Sequence, residues 1–171
     1  MSGPVGSSQW LYSAGADYEI DYSCRFNKAD TAHLKRTMST PTSTQKFSFS
    51  FWFKKPSTAP VQMNLLSMGS SGSDYAELSI ITGEYISMFD YHAGYNFWHR
   101  NTANILRDPS AWIHLLIAID TTQSTEANRV RWYFNGVENT AWAGTTEPTQ
   151  NVALYWFNSA VEWTIGAQFD E

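Results

Sequence analysis

The chain has 171 residues and a formal net charge of −5 at pH 7, and its aromatic and charged fractions are both 16%. This charge balance excludes a basic surface for nucleic acid or anionic membrane. No apolar stretch nears the ~20 residues of a membrane span, and a single cysteine, Cys24, excludes an intramolecular disulfide. Abundant aromatic residues together with Ser, Thr and Asn favour pleated, half-buried surfaces, and so predict an all-β domain.

The N-terminal segment contains no charged side chain and is rich in Gly and Ser. This composition predicts an irregular arm over residues 1–16, with Trp10, Leu11 and Tyr12 as the residues that attach it to a neighbouring surface. The folded domain is predicted to span residues 17–171. Because no cationic and apolar leader opens the sequence, we expect the chain to be made and folded in the cytoplasm.

Strands are predicted at short intervals along the domain. The clearest is 47–53, FSFSFWF, whose four phenylalanines share one face while Ser48, Ser50 and Trp52 share the other. Four phenylalanines on one face predict that this face is core. The strand at 112–120 is apolar on both faces and is expected to be central in its sheet. The other predicted strands cover 20–27, 34–38, 63–68, 75–81, 85–91, 95–100, 129–134, 137–142, 152–157 and 162–167.

Turn residues complete this pattern. Asn135-Gly136 predicts a tight hairpin turn between two of the strands. No window shows sustained helical periodicity, and nothing repeats at a fixed period. About a dozen short strands without intervening helices predict an all-β sandwich of two antiparallel sheets.

Five motifs, in this order, resemble those of concanavalin A-like and laminin-G-like domains. They are FSFSFWF at 47–53, Trp112-Ile113-His114-Leu115, the strand that ends at Asp120, Tyr133-Phe134-Asn135-Gly136 and Thr164-Ile165-Gly166. Their order and spacing agree over nearly the whole chain. The resemblance implies a two-sheet antiparallel jelly-roll β-sandwich. It also implies calcium, which is the usual ion of such relatives. The acids in loops or at strand ends that are considered as calcium ligands are Asp74, Asp90, Asp108, Asp120 and Glu126.

A narrower set of motifs resembles the version of this domain in virion proteins of tailed phages, notably marine ones. The motifs are Arg25-Phe26-Asn27, the segment 107–112 (RDPSAW), Asp120-Thr121-Thr122-Gln123 and Asn128-Arg129-Val130. This resemblance implies a non-enzymatic tail-fibre, head-decoration or adaptor module in the virion. Its partners would be other virion subunits, further copies of the chain and host-surface glycans. The alternatives are a free carbohydrate-binding lectin and, more distantly, a glycoside hydrolase.

One departure from the family pattern concerns the end of the sequence. In such folds a closing strand follows the Ile-Gly motif and pairs beside the first strand, whereas here Glu171 follows soon after Gly166. Either this strand is missing, or the arm or a neighbouring chain takes its place. Because an open sheet edge invites pairing with another chain, we expect the termini to lie at an inter-subunit contact.

Neither catalysis nor a metal cofactor is predicted. Glu19 and Asp21 have the spacing of a glucanase E-x-D-x-E strand, whose carboxylates lie roughly 5 Å apart, but Ser23 stands where the acid/base belongs. Because the loop acids form no D-x-D-x-D cluster, Asp108 and Asp120 are expected to cap turns.

Structural roles are predicted for two further side chains. His114 follows Trp112 by two positions, so both side chains are expected on the same face of the strand, and His114 is expected to be a hydrogen-bonded structural histidine. Cys24 alternates with Tyr22 and Phe26 and is expected to be a buried, inert thiol.

The stretch 85–98 concentrates aromatic residues around a predicted hairpin tip at 93–94. Flat aromatic faces stack on sugar rings, although core packing and a protein interface are alternative uses of the same residues. The glycan- or partner-binding candidates are Tyr85, Phe89, Tyr91, Tyr95, Phe97, Trp98, Trp142, Tyr155 and Trp156.

Overall fold

The computed structural model describes residues 22–55, 62–92, 95–154 and 161–168, and at residues 28 and 95–97 it describes the backbone alone. The predicted arm, residues 1–16, lies outside these ranges. The strands are β1 (Leu34–Thr37), β2 (Lys46–Phe53), β3 (Gln62–Ser71), β4 (Asp74–Ile81), β5 (Tyr85–His92), β6 (Tyr95–Thr102), β7 (Ile113–Asp120), β8 (Val130–Phe134), β9 (Val137–Glu138), β10 (Trp142–Thr146) and β11 (Glu162–Ile165).

These strands form two antiparallel sheets. The seven-stranded sheet has the order β1-β11-β3-β4-β5-β6-β10, and the four-stranded sheet has the order β2-β7-β8-β9. The sheets enclose one apolar core, so the predicted all-β, two-sheet antiparallel jelly-roll β-sandwich is confirmed. No helix among the described residues is long and apolar enough to cross a membrane.

The phenylalanine row of β2 faces the core, as its alternation predicts. Phe53 is buried, and the other three phenylalanines are half-buried and pack on the core. β2 pairs with β7 along its whole length, which places Phe49 beside Ile117 and Phe51 beside Leu115. Because β7 lies between β2 and β8, the prediction of a central strand at 112–120 is also confirmed.

The predicted strand at 20–27 is wrong over its described part, which contains no strand. The Asn27 side-chain oxygen accepts the N–H of Ala29 at 3.4 Å, and its backbone carbonyl accepts that of Asp30 at 3.1 Å. These bonds turn the chain into a short 3-10 helix. Cys24 is exposed in this segment, which corrects the prediction of a buried thiol.

The predicted strand at 137–142 is divided between the two sheets. Its first residues form β9 of the four-stranded sheet, whereas Trp142 begins β10 of the other sheet. The buried Asn139 makes the corner. Its backbone N–H donates to the Trp132 carbonyl at 2.8 Å, and its side-chain amide donates to the Ala141 carbonyl at 3.0 Å.

The turn between β8 and β9 has the predicted form. Asn135 and Gly136 have φ angles of 49° and 82°, and two positive φ values are what a type I′ hairpin turn requires.

The strand predicted at 152–157, by contrast, is absent from its described residues, 152–154.

Candidate functional site

The outer face of the four-stranded sheet presents two exposed tryptophans. Trp52 on β2 is 55% exposed, and Trp112, directly before β7, is 47% exposed. They face outward because the alternating residues of the same strands, the phenylalanines and Leu115, face the core. We call this surface the tryptophan face; it comprises Ser50, Trp52, Trp112, His114, Leu116 and Tyr133.

His114 is fixed at the centre of the tryptophan face. It lies directly opposite Trp52 in the β2–β7 pairing, with ring centroids 5.0 Å apart. The Ser50 hydroxyl and His114 Nε2 are 2.7 Å apart and share a hydrogen bond, so the predicted hydrogen-bonded histidine is confirmed. The His114 backbone N–H donates to the Asn135 side-chain oxygen at 2.9 Å. The imidazole therefore has a fixed position and orientation beside the Trp52 ring.

The next row of the face extends this surface toward β8. Leu116 lies between Ser50 on β2 and Tyr133 on β8 in the strand register, and both Leu116 and Tyr133 are half-buried. The result is a largely aromatic surface with a hydroxyl and an imidazole at its centre.

Two cations beside the tryptophan face pair with carboxylates, and a third lies over an aromatic ring. Arg131 donates to Glu138 at 3.0 Å, and its guanidinium carbon lies 6.0 Å from the Tyr133 ring centroid. Lys46 lies 3.4 Å from Asp120. On the opposite side, the Lys54 ammonium lies 5.3 Å from the Trp112 ring centroid.

Two acids beside this face are stabilised as carboxylates. Hydrogen bonds from Thr122 and Gln123 lower the pKa of Asp120 to about 2. Hydrogen bonds from Ser110, with a smaller contribution from the Lys54 charge, lower the pKa of Asp108. The side chain of each acid accepts a hydrogen bond from the backbone N–H of the residue two positions later in the sequence. The prediction that Asp108 and Asp120 cap turns is therefore confirmed.

The aromatic side chains described within 85–98 differ widely in their exposure. Trp98 is fully buried in the core, which corrects its selection as a binding residue. Phe89 and Tyr91 are half-buried on the outer side of β5. Tyr75 contacts both rings, with centroid distances of 5.6 Å and 5.3 Å.

Of the remaining candidates, two have described side chains. Tyr85 is half-buried at the start of β5. Trp142 is half-buried at the edge of the core. Its ring is perpendicular to that of Trp132, with ring centroids 5.3 Å apart. The Arg100 guanidinium carbon lies 4.5 Å from the centroid of the Trp142 ring. The candidates outside the described residues or side chains are Trp10, Leu11, Tyr12, Tyr95, Phe97, Tyr155 and Trp156.

The outer face of the seven-stranded sheet is polar beside the ring cluster of Tyr75. Glu77 on this face is 1% exposed and accepts a hydrogen bond from the Gln62 amide at 2.5 Å. Burial raises the pKa of the Glu77 carboxyl, against the hydrogen bonds of Ser79 and Gln62, which lower it. Glu77 is thus an enclosed carboxyl and is much less accessible to a ligand than the tryptophan face.

The acids considered for calcium do not converge on one point. Asp74 contacts His92 at 2.6 Å, while Asp108 and Asp120 bind their own turns. Within 22–55, 62–92, 95–154 and 161–168 there is no group of three or more His, Cys, Asp or Glu that could hold a metal ion. The described residues therefore do not fit the calcium site that the family resemblance implies.

Trp52 is not among the binding residues predicted from the sequence, although the alternation of β2 places it opposite the phenylalanines. An aromatic residue among serines on the polar side of a strand is the signal that identifies it. Trp112 was treated only as a family motif. Its exposure follows from its position one residue before β7, where the sheet no longer covers it.

No family model matches the sequence, and no curated protein does. Among solved structures, the chain is similar to a native heptameric SAP-like pentraxin from Limulus polyphemus, with 14% identity and a TM-score of 0.49 over 78% of this chain and 56% of that one. It is also similar to CG-16, a homodimeric agglutinin from chicken liver, with 12% identity and a TM-score of 0.44 over 79% of this chain and 92% of that one. Likenesses this distant carry no argument about function.

Proposed function

We propose that this domain binds carbohydrate without catalysis, and that the sugar stacks on the tryptophan face. The observation that carries the proposal is the exposed Trp52 ring, 55% accessible and held 5.0 Å from the His114 imidazole. A pyranose ring has an apolar C–H face and a rim of hydroxyls. It therefore fits an aromatic surface that has a few fixed polar groups at its edge.

The polar groups needed for orientation lie beside the stacking surface. The Ser50–His114 hydrogen bond holds a hydroxyl and an imidazole next to Trp52, and both groups can donate to or accept from sugar hydroxyls. Because their geometry is fixed before binding, little side-chain entropy is lost when a sugar is bound.

Hydrolysis is disfavoured by the state of the acids near this face. A glycosidase needs one carboxyl with a raised pKa as its general acid. Asp108 and Asp120 both have lowered pKa values, and Glu138 is paired with Arg131. Glu77, whose pKa is raised by burial, is enclosed on the other sheet.

The setting of this activity is a separate part of the proposal. From the sequence resemblance alone, we propose that the domain serves as an adhesion module of a phage virion, beside further copies of the chain. A purely structural role in the virion makes the opposite prediction for Trp52, which would then be covered by a partner chain and would bind no sugar.

A glycan array probed with the wild-type protein and with Trp52→Ala tests the sugar proposal. The wild type is expected to bind a defined set of glycans that Trp52→Ala does not retain. Tyr22→Ala is the matched control, since Tyr22 is an 88% exposed aromatic residue outside the tryptophan face. A wild-type protein that binds no glycan, or a Trp52→Ala variant with an unchanged binding profile, would refute the proposal.

A further inference from the structure

The charges around the tryptophan face affect which sugars can bind to it. Three cations lie at its margin, and a surface with unmatched cations would favour acidic saccharides such as uronates and sulfated sugars. Arg131, however, makes two hydrogen bonds to Glu138, at 3.0 Å and 3.4 Å. Lys46 is 3.4 Å from Asp120.

The third cation, Lys54, is held differently, because its ammonium lies over the Trp112 ring at 5.3 Å. Arg131 and Lys46 therefore each have a carboxylate within ion-pair distance, whereas Lys54 lies over an aromatic ring. In the centre of the face, Trp52 and Leu116 carry no ionisable group, and the His114 imidazole is hydrogen-bonded to Ser50.

We infer that the tryptophan face selects uncharged saccharides, and that Glu138 and Asp120 determine this selectivity by neutralising Arg131 and Lys46. This inference rests on the proposed sugar binding and deepens it. A uronate or sulfate beside Arg131 or Lys46 would leave bulk water without meeting an unmatched cation, because the nearby carboxylate cancels most of each charge.

A charge-deletion variant separates this selectivity from stacking. Glu138→Gln removes the carboxylate and leaves the Arg131 guanidinium uncompensated beside Tyr133. The matched control is Glu162→Gln, which breaks the Lys35–Glu162 pair (3.1 Å) on the other sheet and changes the net charge equally. Both pairs are partly exposed, so both variants are expected to fold.

The experiment uses a glycan array with neutral, uronate-containing and sulfated glycans, at low and at moderate NaCl. The wild type and Glu162→Gln are expected to bind neutral glycans, with less than a twofold change between the two salt concentrations. Glu138→Gln is expected to gain binding to acidic glycans by at least fivefold at low salt and to lose that gain at moderate salt.

Three results overturn the inference, and they differ in what else they affect. Wild-type binding mainly to acidic glycans, or equal gains in Glu138→Gln and Glu162→Gln, contradicts the selectivity while the sugar proposal stands. Absence of any glycan binding contradicts both.

Discussion

Trp52 and His114 face each other across β2 and β7 on the outside of the sandwich, with ring centroids 5.0 Å apart and an interplanar angle of 32°. The Ser50 hydroxyl, two residues before Trp52 on the same face, bonds His114 Nε2 at 2.7 Å. An exposed tryptophan on a solvent-facing strand therefore has a fixed polar neighbour. The tryptophan face owes its proposed function to this arrangement.

Ser50→Ala is expected to weaken glycan binding by about three- to tenfold, because it removes one partner of a hydrogen bond worth about 0.5–1.5 kcal/mol and frees the His114 ring. Isothermal titration with a glycan bound by the wild type measures the change. Ser48→Ala, on the same exposed face but outside the pair, is the control and should leave the affinity unchanged. Equal effects of the two substitutions would contradict a positioning role for Ser50.

Glu77→Gln is expected to change how stability depends on pH. Burial raises the pKa of Glu77 above its usual 4.5. The stability contribution of such a group is fully present below its unfolded pKa and is lost as the pH rises through the folded pKa. The unfolding free energy of Glu77→Gln relative to wild type should therefore increase from about pH 4 to pH 8. Urea unfolding at several pH values measures it, and a difference that stays constant or decreases would contradict the raised pKa.

Glu147→Gln is expected to destabilise the fold by about 3–5 kcal/mol, because it leaves the Arg100 charge buried without its partner. The two side chains are 4% and 12% exposed and lie 2.8 Å apart. Glu138→Gln breaks the exposed Arg131 pair and should destabilise the fold far less than Glu147→Gln does. Chemical unfolding of both variants gives the comparison, and similar costs would show that burial of the Arg100 pair has no energetic consequence.

Gly136→Ala is expected to destabilise the fold by about 1–2 kcal/mol, since Gly136 has a φ of 82° in the β8–β9 turn and a side chain is strained there. Gly72 lies in the β3–β4 turn without a left-handed φ and with open space around it. Gly72→Ala is therefore expected to change stability by less than about 0.5 kcal/mol. Thermal unfolding distinguishes the two, and a harmless Gly136→Ala would contradict the turn assignment.

Much of the fold could be predicted from the sequence because strand alternation and turn residues are local signals. The phenylalanine face of β2 and the Asn135-Gly136 turn are both present where predicted. The division of 137–142 could not be predicted, since it depends on Asn139 bonding to Trp132 of another strand. The pattern at 20–27 was misleading because alternation does not reveal whether a neighbouring strand pairs with it.

The candidate site was predicted less well for a related reason. The density of aromatic residues in 85–98 indicates their number but not their direction. The pairing of Trp98 with Asp90 places its side chain in the core. Trp52 lies in the strand whose neighbouring phenylalanines are core residues, and only the parity of its position distinguishes it from them.

The most direct test of the central claim follows the indole N–H resonances of the tryptophans in a two-dimensional NMR titration with a glycan identified on the array. Trp52→Phe assigns the Trp52 signal. If the sugar stacks on the tryptophan face, the Trp52 indole shifts in a saturable manner, while the indoles of the buried Trp98 and Trp132 do not move. Saturable binding of the glycan with an unmoved Trp52 signal would contradict the account.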